Sequence, residues 1–166
     1  MGGIGGSAEA TKRAFEPGKI GVMSRSGGMT VEIANSLSAA GLGISTAVSI
    51  GGDVIIGSSY AELMPLFDND DETKGIAIYS EPGGRAELLL AEYVKQSKRK
   101  LPVVAFMAGK FMDAMPGMRF GHAGTIVEGK SDTTEEKIIR MTEAGITVVE
   151  RIEEMPIKLK ELISEE

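Results

Sequence analysis

Short runs of apolar and β-branched residues alternate with segments whose apolar residues recur at helical spacing, and this alternation restricts the fold more than any other feature. The five runs are KIGVMS (19–24), ISTAVSI (44–50), GIAIYS (75–80), PVVAFMAG (102–109) and ITVVE (146–150). Near-continuous apolar strands are typical of a parallel sheet that is covered on both faces. We therefore predict an α/β fold: a doubly wound, mostly parallel five-stranded sheet with helices on both faces.

Five helices are predicted between and after these strands. Their apolar positions recur at helical spacing and fall within residues 29–40, 60–67, 86–94, 133–144 and 153–163. The fourth helix has Asp132 or Thr133 as its N-cap, with Glu135 and Glu136 in the first turn. The strand order that suits this alternation is 2-1-3-4-5, which is the flavodoxin-like order.

Length and composition exclude several classes of protein. The chain has 166 residues, of which 42% are hydrophobic, and we place one domain at residues 17–166. The glycine-rich segment 1–16 is expected to be a linker or a truncated interdomain segment. A net charge of −6 without a basic stripe argues against a nucleic-acid partner, and no apolar run is long enough to cross a membrane. The chain has no cysteine, which excludes disulfides and fits a cytoplasmic protein.

Three polar, glycine-rich loops follow the first, third and fourth predicted strands. They are SRSGG (24–28), SEPGG (80–84) and a long loop over residues 110–131. The carboxyl ends of parallel strands lie at one edge of a sheet, which is where ligands bind in open α/β folds. We therefore expect these loops to meet at one site, although they are far apart in the sequence.

The first of these loops is a candidate phosphate site at the start of a predicted helix. It consists of Ser24, Arg25, Ser26, Gly27 and Gly28. Glycines let an anion approach the backbone, and the free N–H groups at a helix N-terminus attract negative charge. The same residues also suit a simple helix cap and turn, and their spacing matches neither the Walker nor the dinucleotide pattern. Both interpretations stay open on the residues alone.

The long loop contains His122, the only histidine of the chain, flanked by Gly121 and Gly124. A single histidine without cysteine cannot form a multi-histidine or cysteine-ligated site, so no metal centre is predicted. A lone histidine is often structural or simply exposed, but it can also act as a general base or a nucleophile. A nucleophilic imidazole would use a carboxylate to orient it. Glu81 in SEPGG is either that carboxylate or a solvated turn residue.

Four motifs, in order along the chain, resemble one family. The segments GKIGVMSRSGGMTVE, AVSIGGDVIIGSS, SEPGG and RFGHAGTI are similar to the C-terminal ligase domain of the succinyl-CoA synthetase α subunit. The wider superfamily is the nucleoside-diphosphate-forming acyl-CoA synthetases, which include ATP-citrate lyase. The resemblance extends from about Glu16 to Glu166 and implies a flavodoxin-like fold.

The resemblance implies a phosphoryl relay. His122 would be phosphorylated by ATP or GTP, Glu81 would pair with the imidazole, and the loop from Ser24 to Gly28 would help hold the phosphoryl group. The phosphoryl group would then pass to a carboxylic acid substrate, and CoA would displace phosphate to form a thioester. Gly121 and Gly124 would allow the loop to travel between sites.

The resemblance also implies partners. The nucleotide belongs to an ATP-grasp domain or β-type subunit, and CoA belongs to a Rossmann domain, and neither is recognisable in these residues. We therefore expect no cofactor on this chain alone, no complete acyl-CoA synthesis by it, and ATP or GTP, Mg²⁺ and CoA in the full enzyme. Ser80 and Pro82 stand where many relatives have glycine and an aliphatic residue, which could alter the backbone near Glu81.

Three alternatives remain on the sequence. SRSGGM and the glycine-rich tail lean toward a citrate-lyase-like protein, which leaves the acyl substrate open. A flavodoxin-like interaction module with a vestigial histidine is a non-catalytic possibility, against which the set of His122, Glu81 and SRSGG argues. An FMN-binding relative is disfavoured because the aromatic residues are poorly placed to sandwich a flavin.

Overall fold

The predicted sheet is present, and all five strands are parallel. In the computed structural model, which describes residues 8–99 and 101–164, the strands are β1 (Pro17–Ser24), β2 (Ile44–Ser49), β3 (Gly75–Ser80), β4 (Val103–Met107) and β5 (Thr147–Val149). Their order is β2-β1-β3-β4-β5, so the predicted fold class and strand order are both confirmed. Residues 1–7 of the predicted linker, and residues 100, 165 and 166 of the predicted domain, lie outside the described residues.

Within the described ranges, six α-helices flank the sheet, one more than predicted. They are α1 (Ala8–Ala14), α2 (Gly27–Ala39), α3 (Tyr60–Asp68), α4 (Ala86–Gln96), α5 (Thr134–Glu143) and α6 (Met155–Ser164). The additional helix is α1, which lies in the segment expected to be a linker. Ala14 is fully buried, and its carbonyl accepts a hydrogen bond of 2.8 Å from Oγ of Ser38 in α2. Tertiary packing rather than local periodicity therefore stabilises this short helix.

Side-chain caps fix where two of the site-proximal helices begin. Oγ of Ser26 accepts a hydrogen bond of 3.4 Å from the N–H of Met29 at the start of α2. Of the two predicted caps for α5, the structure uses Thr133, whose Oγ1 accepts from the N–H of Glu136 at 3.2 Å. These caps set the first turns of helices that follow loops at the carboxyl edge of the sheet.

The core consists of two apolar layers, one on each face of the sheet. Alternate residues of β1 serve the two layers: Ile20 and Val22 belong to one, and Met23 belongs to the other. Gly21 faces α3, where a Cβ atom would lie 2.6 Å from Cε1 of Phe67, so glycine allows that helix to approach the sheet. None of the helices in the described ranges is long and apolar enough to cross a membrane.

Tyr60 anchors α3 to the carboxyl edge of the sheet. Its side chain is fully buried, and its hydroxyl donates a hydrogen bond of 2.6 Å to the carbonyl oxygen of Tyr79, one residue before the end of β3. Burial raises the pKa of the Tyr60 phenol well above its ordinary value, and the negative charge of Glu87 adds to the effect. The phenol therefore stays protonated in the folded protein at pH values where an exposed tyrosine ionises.

We predict that Tyr60→Phe lowers the free energy of unfolding by about 1 kcal/mol at pH 8, because it removes one buried hydrogen bond. Above pH 10 the unfolded tyrosine loses its proton while the buried one keeps it, so stability falls as the pH rises, and the variant lacks this contribution. Urea unfolding at pH 8 and between about pH 9.5 and 11 measures both effects. An equally steep alkaline loss of stability in the variant would contradict the assignment to Tyr60.

Candidate functional site

The imidazole of His122 pairs with the carboxylate of Glu81 at the carboxyl edge of the sheet. Nδ1 of His122 lies 2.7 Å from Oε2 of Glu81. The His122 side chain is 40% exposed, whereas that of Glu81 is 11% exposed. A carboxylate only accepts hydrogen bonds, so Nδ1 of a neutral His122 carries the proton and the lone pair lies on Nε2. The two residues singled out in the sequence therefore meet, and Nε2 is the nitrogen available for chemistry.

The loop that carries His122 is a tight, internally bonded turn. Oγ1 of Thr125 donates to the carbonyl oxygens of Phe120 and His122, at 2.6 and 2.7 Å. Gly121 has a φ of +73°, in the left-handed region that favours glycine. At Gly124, a Cβ atom would lie 2.8 Å from the carbonyl oxygen of another loop residue. Both glycines thus have structural reasons to be present, and the loop motion expected of them stays a prediction.

Gly52, in the loop after β2, forms the surface against which the imidazole lies. A Cβ atom at this position would overlap Nδ1, Cγ and Cβ of His122. The Gly52 carbonyl also accepts a hydrogen bond of 2.9 Å from the N–H of Gly124. The sequence interpretation did not assign this residue to the site. The signal was available, because the glycine pair after β2 follows a strand whose carboxyl end lies at the same edge as the other loops.

The side chain of Arg25 is hydrogen-bonded to the backbone of the turn that carries Glu81. Its Nη1 donates to three successive carbonyl oxygens, at 3.2 Å to Glu81, 3.2 Å to Pro82 and 3.0 Å to Gly83. Only 6% of the residue is exposed. The charge of Arg25 is therefore directed to the backbone of this turn, and its role as a phosphate ligand stays a prediction.

A second cation, Lys137 of α5, holds the same turn. Its side chain is completely buried, and its Nζ donates to the carbonyl oxygens of Glu81 at 3.0 Å and Gly83 at 2.6 Å. Nζ also lies 2.7 Å from Oε2 of Glu87, which is equally buried. Burial lowers the pKa of Lys137, and the carboxylate of Glu87 acts in the opposite direction.

The sequence interpretation missed both Lys137 and Glu87, because charged residues in helices are normally assigned to solvent. A partial signal exists. Lys137 stands four residues before Met141, and residues four apart share a helix face. Since Met141 is fully buried, Lys137 falls on the buried stripe of α5.

The two serines of SRSGG make local hydrogen bonds. The hydroxyl of Ser24 donates to the carbonyl of Ser26 at 2.7 Å and accepts from its N–H at 3.0 Å. Oγ of Ser26 caps α2, as described above. Gly27 is the first residue of α2, and a Cβ atom at Gly28 would have no heavy atom nearer than 4.0 Å. Among the described residues, no hydrogen bond joins these four residues to His122 or to the Glu81 side chain, and their phosphate contact stays a prediction.

A cleft of about 550 Å³ opens beside the histidine loop. It lies between the loops that follow β2 and β3 and the segment after His122, and its lining includes Arg25, Gly51, Gly83, Arg85, Leu89 and Gly124. Within residues 8–99 and 101–164, no group of three or more histidine, cysteine, aspartate or glutamate side chains could hold a metal ion. The site is thus an exposed imidazole with an oriented tautomer, next to an open cleft.

The sequence from β1 into α6 matches a known family. The model of the family described as "Succinyl-CoA ligase like flavodoxin domain" matches residues 17–159. The chain belongs to this family. The ADP-forming succinate–CoA ligase subunit alpha 2 of Archaeoglobus fulgidus is 44% identical over 151 residues, which are 91% of this chain and 50% of that protein. The corresponding alpha subunit of Staphylococcus aureus is 43% identical over 129 residues, 78% of this chain and 42% of that protein. The chain thus spans about half the length of the curated relatives it matches.

Solved structures of an ATP citrate lyase and of an acetyl-coenzyme A synthetase share this fold. The ATP citrate lyase of Methanosaeta concilii, in complex with (3S)-citryl-CoA, has a TM-score of 0.87 at 29% identity, over 96% of this chain and 26% of that chain. A dinucleotide-forming acetyl-coenzyme A synthetase of Ca. Korarchaeum cryptofilum has a TM-score of 0.62 at 20% identity, over 82% of this chain and 28% of that chain, which shows likeness of fold alone. The resemblance noted in the sequence is confirmed at the level of family.

We predict that Gly52→Ala displaces the imidazole of His122 and breaks its hydrogen bond to Glu81, because the new methyl group would occupy the position of Nδ1. The measurement is ¹⁵N-edited NMR of the imidazole, in which the bonded Nδ1–H signal should be lost. Gly57→Ala is the matched control, since a Cβ atom at Gly57, in the same loop, meets no heavy atom within 4 Å. An unchanged imidazole spectrum in Gly52→Ala would show that the ring does not lie against this residue.

Proposed function

We propose that this chain is the phosphohistidine-carrying domain of an acid–CoA ligase that forms a nucleoside diphosphate. The observation that carries the proposal is the bond between Nδ1 of His122 and the Glu81 carboxylate, in a chain of the succinyl-CoA ligase like family. That bond orients an exposed imidazole with a free Nε2, which is the arrangement of an activated nucleophile.

In the proposed reaction, the lone pair of Nε2 attacks the γ-phosphorus of the nucleotide. The N–P bond forms as the bond from γ-phosphorus to the bridging oxygen breaks, and the nucleoside diphosphate leaves with that electron pair. The ring becomes positively charged in this step while Nδ1 keeps its proton. Glu81 stabilises that charge through the hydrogen bond it already makes.

The phosphoryl group on Nε2 needs a partner for its negative charge. The N-terminus of α2 supports this role, because its first turn contains Gly27 and Gly28, where no side chain blocks the backbone. Free N–H groups and the helix dipole attract anions at such a position. We propose that this turn, with Ser24, Arg25 and Ser26, contributes to the phosphoryl cradle once His122 is modified.

The later steps require groups beyond these residues. An oxygen of the carboxylic acid attacks phosphorus and breaks the N–P bond, which gives an acyl phosphate. The thiolate of CoA then attacks the acyl carbon and expels phosphate. We propose that an ATP-grasp subunit or domain binds the nucleotide with Mg²⁺, which neutralises phosphate charge there, and that a Rossmann domain binds CoA. The names of the alpha-subunit relatives, which are ADP-forming ligases, support ATP as the nucleotide.

A second candidate is a citrate-lyase-like enzyme. The observation that favours it is the fold match to archaeal ATP citrate lyases, with TM-scores of 0.87 and 0.88. The histidine chemistry is the same in both candidates up to the phosphoenzyme. The two differ in the carboxylic acid that receives the phosphoryl group.

We expect γ-labelled ATP, Mg²⁺ and an ATP-grasp β-type subunit to label this chain on Nε2 of His122. The label should be stable in base and labile in acid, as expected for an N–P bond, and His122→Asn should abolish it. Phosphoramidate, which phosphorylates exposed imidazoles without a protein partner, serves as the second donor. A chain that neither donor labels at His122, or a label that persists in His122→Asn, would contradict the proposal.

The phosphorylated chain, assembled with both partner domains and CoA, should lose its label faster with succinate than with citrate. The difference is expected to be roughly 10-fold or more, since a site built for one acid leaves polar groups unpaired with another. Label release and thioester formation are measured with each acid. Faster release with citrate, together with citryl thioester, would assign the chain to the citrate-lyase-like candidate instead.

A further inference from the structure

Two buried cations are hydrogen-bonded to the backbone carbonyl oxygens of the turn formed by Glu81, Pro82 and Gly83. Nη1 of Arg25 is within hydrogen-bond distance of all three carbonyl oxygens, and Nζ of Lys137 binds the first and the third. Each cation comes from a different part of the fold, because Arg25 follows β1 and Lys137 lies in α5. The carbonyl of Glu81 therefore accepts from both cations, while its side chain reaches out to His122.

Both cations of this cluster pair with the buried carboxylate of Glu87. Oε2 of Glu87 binds Lys137, and Oε1 lies 3.8 Å from Nη1 of Arg25 without a hydrogen-bond partner among the described residues. One buried carboxylate thus faces two buried cations, and the negative charge of Asp132 also acts on Lys137. The contacts of Arg25 and Lys137 with Glu81 are therefore made to its backbone carbonyl, while its carboxylate pairs with His122.

Complete burial of a charged lysine side chain has a desolvation cost in free energy. Apolar side chains would pack α5 against the sheet without that cost. A cation is needed here only if carbonyl oxygens must be held facing inward. Pro82 cannot donate a backbone hydrogen bond, and Gly83, with a φ of +82°, uses its N–H on the carbonyl of Asp132 at 3.0 Å. The arrangement specifies one conformation of the turn, and with it the direction of the Glu81 side chain.

We propose that Arg25 and Lys137, linked through Glu87, are positioning residues that hold the Glu81 carboxylate against Nδ1 of His122 and so reserve Nε2 for phosphorylation. They act through Glu81 on the unmodified imidazole, and this role of Arg25 is separate from the contribution to the phosphoryl cradle proposed above. This inference rests on the proposed function for its consequence in catalysis. Its geometric part, the orientation of the imidazole, is testable without any phosphoryl donor.

The test uses variants that remove one positive and one negative charge together, so that the net charge of the cluster is unchanged. Lys137→Met with Glu87→Gln removes the cation and its counter-charge together. Lys158→Met with Glu161→Gln is the matched control, because those two side chains form an ion pair of the same length, 2.7 Å, but are half exposed on α6. The Glu81→Gln variant provides the reference result for an imidazole of His122 that is no longer oriented.

Two measurements are made on each variant. Imidazole ¹⁵N NMR across the pH range gives the tautomer and the titration of His122. Reaction with phosphoramidate gives the rate and the nitrogen that is phosphorylated. Wild type and the α6 control should show the Nδ1–H tautomer and phosphorylation on Nε2. The Lys137 and Glu87 double variant should lose the single tautomer, react on both nitrogens, and slow by roughly 10-fold at Nε2, as Glu81→Gln does.

A thermodynamic cycle separates positioning from general stability. If the cations act through Glu81, adding Lys137→Met and Glu87→Gln to Glu81→Gln causes no further loss. Should the double variant fail to fold by circular dichroism, Arg25→Lys replaces it, since it keeps the buried charge but cannot span three carbonyls. Arg25→Lys is then expected to show the same mixed tautomers and mixed products.

The proposal is overturned if the double variant, or Arg25→Lys in its place, keeps the tautomer and the Nε2 product of wild type. It is equally overturned if Glu81→Gln keeps them, or if the losses in the cycle add. If the NMR signatures change as expected but ATP with the ATP-grasp partner never labels His122, the proposed function fails while the positioning role stands.

Discussion

Three backbone carbonyl oxygens that point into the protein, those of Glu81, Pro82 and Gly83, are the constraint on which the site depends. Their hydrogen bonds are buried, and the fold supplies the donors from the side chains of Arg25 and Lys137. These donors join β1, α5 and the turn after β3 in one buried network. In the positioning role that we propose, this network holds the turn in one conformation, so that Glu81 meets His122 from a fixed direction. A loop histidine thereby acquires the precision normally found in residues on regular elements.

The sheet and the meeting of its loops could be predicted because they follow from patterns local to each segment. Five apolar runs alternating with helical periods leave one simple topology, which places Glu81 and His122 at one edge. Helix α1 could not be predicted in this way, since its stability comes from contact with α2. Lys137 was missed for a related reason. A charged residue in a helix is predicted to be solvent-exposed when the residues that neutralise it are unknown. Here those residues are distant in the sequence.

The role of Gly52 could not be predicted for a third reason, because it depends on the absence of a side chain at that position. A glycine in sequence indicates freedom of the backbone, and only the fold shows whether the missing Cβ makes room for something. Here the space is occupied by the imidazole of His122. The family match and the structure agree on the fold. In the function proposed above, the chain contributes a nucleophile with a defined tautomer, and its partners provide the specificity.

Family motifs are usually judged by the residues that react, but the packing at Gly52 offers a different criterion. Any side chain there would compete with the imidazole for the same volume. A relative could keep its histidine, its glutamate and every flanking glycine, and still have lost the orientation of the imidazole toward the glutamate. If His122 is the nucleophile that we propose, a residue larger than glycine at this position would identify relatives in which the imidazole has lost this orientation although the motif residues are all present.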